Sequence, residues 1–101
     1  MTASFHAASS FAIPSRRMFV ITGDIVRGVV KKGMTMSVRS KSGILLNLPI
    51  ESVEFVKKLE GSEVGLTTIC RDADELEFLR GLEISDEYIE IAETNSDGKE
   101  G

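Results

Sequence analysis

Residues Phe19 to Gly33 read F-V-I-T-G-D-I-V-R-G-V-V-K-K-G. β-Branched and aromatic runs are cut by Gly23, Gly28 and Gly33, so the chain must run extended, turn, and run extended again within a few residues. In the run Met18 to Thr22, strand alternation puts Phe19 and Ile21 on one face and Met18, Val20 and Thr22 on the other, with Phe19 and Ile21 the stronger core pair. Gly23 and Asp24 mark a bend or bulge. Ile25 to Arg27 continue extended, and Lys31-Lys32-Gly33 ends in a glycine suited to the positive φ of a tight turn.

Downstream, Met34, Met36 and Val38 alternate with Thr35, Ser37 and Arg39, the period of a half-buried strand, and Ser40 to Gly43 form its turn. Ile44 to Leu48 is an apolar strand segment interrupted by Asn47-Leu48-Pro49. Ile50 to Val56 then resumes alternation, with Val53 and Phe55 expected in the core. Lys57 to Ser62 reads as a loop around Gly61, and Val64 to Arg71 as another strand. One helix is expected near residues 73–80: Asp72 or Asp74 can cap it, Glu75 and Glu77 suit its positive end, and Leu76 and Leu79 share a face. Gly81 ends it, and a last strand follows over Tyr88 to Glu93.

Upstream, Phe11 to Ile13 can begin a first strand, and Pro14, lacking an N–H, belongs at an edge, a strand end or a bulge. Residues 1–10 are small and polar and read as a flexible N-terminal arm. The resulting division is an arm over 1–10, a domain over 11–93 and a disordered acidic tail over 94–101. About six short strands joined by glycine-rich turns, with one helix, predict an all-β fold: a small closed antiparallel barrel, which removes exposed edges.

The chain has 101 residues, 42% hydrophobic and 28% charged, enough for one modest core. No apolar run reaches the roughly 18 residues needed to span a bilayer. Met1 to Pro14 has neither the basic nor the apolar region of a secretory signal, so the expected location is cytoplasmic and no membrane contact is expected. Cys70, the single cysteine, cannot form an internal disulfide and reads as a small buried hydrophobe. The net charge of −4 conceals a polarity. Through Arg71, ten Lys and Arg face five acids, and beyond it eleven acids face Arg80 and Lys99.

In order and spacing, the run Arg17 to Met34, R-M-F-V-I-T-G-D-I-V-R-G-V-V-K-K-G-M, resembles the second domain of elongation factor Tu and its translational GTPase relatives. There a strand of the form R-G-T-V-V-T-G precedes R-V-x-R-G-x-I-K-x-G. Arg17, Val20, Thr22, Gly23, Val26, Arg27, Gly28, Lys31 and Gly33 fall on that pattern. Ile50 to Glu54, Glu63 to Leu66 and Asp74 to Leu82 are similar to later segments of the same domain, so the resemblance covers roughly Phe11 to Ile84. Arg16-Arg17-Met18 departs from the family's G-R-G-T form. The resemblance implies a barrel that helps hold tRNA or contacts the ribosome, acting by binding, with RNA or a translation-related protein as partner.

The family's GTPase activity is not implied. Phosphate binding there uses G-x-x-x-x-G-K-[ST], and no such run occurs here, so no nucleotide and no cofactor is expected on this chain. Catalysis would have to pair Cys70 or a serine with the single histidine, His6, and no spacing supports that. His6 also has no Cys, His or acidic neighbour at metal-ligand spacing, so no metal site is expected.

Two binding readings stay open. Arg16, Arg17, Arg27, Lys31, Lys32, Arg39 and Lys41 lie on loops and hairpin ends, where they can meet RNA phosphates. Against this stand a pI near 5.0, no tryptophan and one tyrosine. The alternative is a protein-interaction or regulatory module, or a homodimer, acting through an acidic surface or a β-edge such as Tyr88 to Ala92.

Overall fold

The computed structural model describes residues 2–40, 42–59 and 61–93. Among these residues seven strands form one antiparallel sheet: β1 (Thr2–Ile13), β2 (Met18–Arg27), β3 (Thr35–Arg39), β4 (Leu45–Pro49), β5 (Ser52–Lys58), β6 (Gly61–Ile69) and β7 (Glu87–Ala92). Their order across the sheet is β4-β3-β7-β1-β2-β6-β5. A 3-10 turn, Pro14–Arg16, joins β1 to β2, and helix α1 (Ala73–Arg80) falls where the sequence places it. Asp72 caps α1 by accepting from the Glu75 N–H at 2.9 Å, while the Glu75 carboxylate accepts from the Arg71 N–H at 2.7 Å.

The sheet curls into a half-barrel around Phe5, Phe19, Ile21, Met36, Leu66 and Ile91. One mouth is covered by α1 and the chain after it, through Leu76, Leu79, Leu82 and Ile84, and Val30 and Met34 join the core from the loop between β2 and β3. The expected closed barrel is not formed. At Pro49, which has no N–H to continue a ladder, the chain leaves β3 and passes through Ile50 and Glu51 to β6. Ile50 exchanges bonds of 2.8 and 2.9 Å with Met34 and Gly33, and the Glu51 N–H donates to the Thr67 carbonyl at 2.7 Å. β4 and β5 therefore follow one another end to end, without pairing side by side, and both remain sheet edges.

Three further expectations are corrected. The flexible arm expected over residues 1–10 is, over the described residues 2–10, the first part of β1, held between β2 and β7, with Ala3, Phe5 and Ala7 wholly buried. Burying the Phe5 ring contributes about 2–3 kcal/mol, which a loose arm would forgo. Consequently Tyr88 to Ala92 is not an edge, because β7 has β1 on one side and β3 on the other. The loop expected over Lys57 to Ser62 is mostly ladder, with Lys57 opposite Ser62 and Lys58 opposite Gly61. The acidic tail expected over 94–101 lies outside the described residues.

A bulge sets the faces of β1. Ala7 pairs with Gly23 but Ser9 pairs with Thr22, so Ala8 is the extra residue. The phase of alternation flips there. Ala3, Phe5 and Ala7 face inward before the bulge, and Ala12 packs on the core after it, leaving Phe11 48% exposed on the outside.

Candidate functional site

Two surfaces stand out for what they leave uncovered. The first is the β5–β6 hairpin. The ladder between β2 and β6 ends at Gly23 and Val64, yet β5 and β6 go on pairing with each other as far as Lys58 and Gly61. A two-stranded ribbon thus continues past the body of the sheet. Gly61 takes φ +125° at its tip, a conformation that glycine adopts without strain. Phe55, expected in the core, is 76% exposed at the base of this ribbon, opposite Val64, whose own β2 partner Gly23 ends the β2–β6 ladder and brings no side chain to the row. Leu59 at the tip is fully exposed, and among the described residues the outer side of β5 has no ladder neighbour.

The second is the outer face of β1, β2, β6 and β5. Register aligns Phe11 with Val20 and Thr67, and Ile13 with Met18 and Ile69. Phe11, Ile13, Met18, Val20 and Thr67 of these rows line a groove of about 320 Å³ whose lining also includes Arg16 and Glu54. Its hydroxyls are already paired across strands, Ser9 with Thr22 at 2.9 Å and Ser52 with Thr67 at 2.7 Å.

The cations singled out for RNA are divided. Arg16 and Arg17 lie at the start of β2, and the Arg17 guanidinium donates to the Arg71 carbonyl at 3.0 Å. Arg27 closes β2, with Lys31 and Lys32 exposed on the following loop. At about 3.3 Å per residue, the length of the strand separates the two groups. Arg39 ends β3, its guanidinium donating to the Gly43 carbonyl at 3.3 Å. Lys41 lies outside the described residues.

Long-range pairing assembles one cluster that local spacing did not indicate. His6 Nε2 lies 2.8 Å from Asp86 Oδ1, and its ring leans on Tyr88 with centroids 4.9 Å apart. The alternation Ala3, Phe5, Ala7 is the sequence signal that turns His6 outward, but its partners lie eighty residues away. Among the described residues no group of three or more His, Cys, Asp or Glu is placed to hold a metal. Cys70 is buried, and burial, followed by the charges of Glu75 and Asp72, pushes its thiol pKa up. A depression of about 570 Å³ lies between β1 and α1, lined in part by Phe11, Pro14 and Arg80, but Arg80 already pairs with Glu77 at 2.8 Å. No described helix is long and apolar enough to cross a membrane.

Fold and surfaces together define a barrel-like, all-β domain with an open curled sheet. No family model matches the sequence, and no curated protein matches it. Among solved structures the chain is similar to a flavohemoglobin from Malassezia yamatoensis with bound FAD and heme, at a TM-score of 0.50 and 11% identity. The match takes in 95% of this chain and 25% of that one, so the chain spans a quarter of that protein's length. At such identity the likeness concerns the barrel-like fold alone.

Proposed function

We propose that the chain is a binding module that engages a protein partner through the β5–β6 hairpin. The observation that carries this reading is the exposure of Phe55 at the base and Leu59 at the tip of a ribbon extending past the body of the sheet. Large apolar side chains held there gain by being covered, and an aromatic anchor is a common centre of binding energy. The open side of β5 adds backbone donors and acceptors, so an extended segment of the partner can pair as an added strand.

RNA contact is the second reading, supported by the resemblance of Arg17 to Met34 to the second domain of elongation factor Tu. It is the weaker fit. A phosphate backbone favours a continuous cationic track, whereas Arg16 and Arg17 are parted from Arg27, Lys31 and Lys32 by the length of β2.

The test compares the immobilised wild-type chain with the double variant Phe55→Ser and Leu59→Ser in capture from cell extract, with circular dichroism confirming that the variant folds. A protein retained by wild type, resistant to ribonuclease and lost by the variant supports the hairpin. Equal capture by both chains, or capture abolished by ribonuclease, contradicts it.

A further inference from the structure

We infer that the partner of the hairpin supplies an extended segment of the form acidic-x-apolar-basic-apolar, paired antiparallel with the free edge of β5. This rests on the hairpin reading and adds the chemistry of the partner. Two backbone bonds fix which β5 residues face that edge. The Thr67 carbonyl points toward β5, accepting from the Glu51 N–H at 2.7 Å, while the Cys70 N–H points the opposite way, to the Arg17 carbonyl, at 2.7 Å. Successive residues of a strand alternate in direction, so Thr67, Gly65, Glu63 and Gly61 bond to β5 through their register partners Ser52, Glu54, Val56 and Lys58. Val53, Phe55 and Lys57 therefore turn their N–H and C=O groups to the open side, where no described residue pairs with them.

The other edge of the sheet is a poorer template. The Ile50 N–H donates to the Met34 carbonyl at 2.8 Å and the Ser40 N–H to the Ile44 carbonyl at 2.8 Å, so Leu46 and Leu48 bond to β3, and Leu45, Asn47 and Pro49 face out. Pro49 has no N–H, which leaves outward donors on β4 only at Leu45 and Asn47.

The β5 edge selects the class of occupant, and its side chains select the sequence. Donors and acceptors that recur at every second residue match another extended polypeptide, whereas a phosphodiester chain offers acceptors without donors. Alternation puts Val53, Phe55 and Lys57 on the core-facing side, the last two exposed, and Glu54, also exposed, on the opposite side. In an antiparallel neighbour, which continues the pattern of the sheet, apolar residues opposite Val53 and Phe55 extend the core over the exposed ring. An acid opposite Lys57 and a base opposite Glu54 complete two cross-strand ion pairs.

Amide hydrogen exchange followed by NMR on the whole wild-type chain tests the assignment. The probe is the end-blocked peptide Ser-Thr-Glu-Thr-Ile-Lys-Val-Thr-Ser at about 1 mM, an excess over the Kd of a weak specific contact. It should slow exchange about tenfold at Val53, Phe55 and Lys57 and leave Glu54 and Val56, already bonded to β6, unchanged. Exchanging the Glu and Lys of the peptide should weaken binding about fivefold, and the double variant Glu54→Lys and Lys57→Glu should invert that preference. Absence of slowing, slowing at Leu45 and Asn47 instead, or equal binding of the two peptides overturns the inference. So does slowing that appears with rising chain concentration alone, because the occupant is then a second β5. Protein captured through the hairpin with none of the three amides slowed faults this inference and leaves the hairpin reading standing, whereas capture unaffected by Phe55→Ser with Leu59→Ser faults the reading itself.

Discussion

The backbone of Gly23 packs so closely on the carbonyl of His6 that a β-carbon at position 23 would overlap the oxygen. The contact sits beside the Ala8 bulge, where β1 reverses its faces. Neither backbone can yield without disturbing the ladder on its far side, because both strands are interior to the sheet. Gly23→Ala is therefore expected to cost about 3 kcal/mol, toward the upper end for overpacking, read as a lower urea midpoint with an unchanged slope.

β1 supplies a second prediction. Phe5 is wholly buried between β2 and β7, so Phe5→Ala should cost about 3–5 kcal/mol by urea titration. Deleting residues 2–9 should abolish the cooperative transition altogether. A loose arm would leave both measurements near wild type.

At α1, Asp72→Ala removes the acceptor of the Glu75 N–H and should cost about 1 kcal/mol. Asp72→Asn keeps an acceptor and should recover most of that loss. Thermal unfolding of the two variants, each compared with wild type, checks this.

Cys70 predicts an alkaline weakness. Its thiol pKa is raised in the folded chain by burial, Glu75 and Asp72, so the folded state keeps a proton that the unfolded chain releases. The stability this contributes is fully present below the ordinary thiol pKa of about 8.5 and is lost as pH rises toward the folded value. Urea midpoints should fall above about pH 8.5 in wild type, and the slope of that fall should flatten in Cys70→Ala.

Where local pattern decides structure, the sequence was a good guide. Phe19 and Ile21 are core, and α1 runs from Ala73 to Arg80 because its cap and its Leu76–Leu79 pair are local signals. What escaped depends on distant pairing. Continuous alternation along β1 would place Phe11 inward with Phe5, and only the pairing with β2 reveals the extra residue that turns it out. Val53 and Phe55 share a face by period two, yet Phe55 is exposed because its row, Phe55–Val64–Gly23, is the last that β2 joins and ends there in a glycine without a side chain. The partners of His6 and the spatial division of the cations likewise follow from sheet order, which no window of adjacent residues contains.

Photo-crosslinking from the hairpin tip tests the proposed function most directly. A photoreactive residue at Leu59 should yield a discrete, ribonuclease-resistant adduct with a protein, and the same probe at exposed Phe78 on α1 should not. An adduct from position 59 to RNA, or a protein adduct from position 78 with none from position 59, would contradict the account.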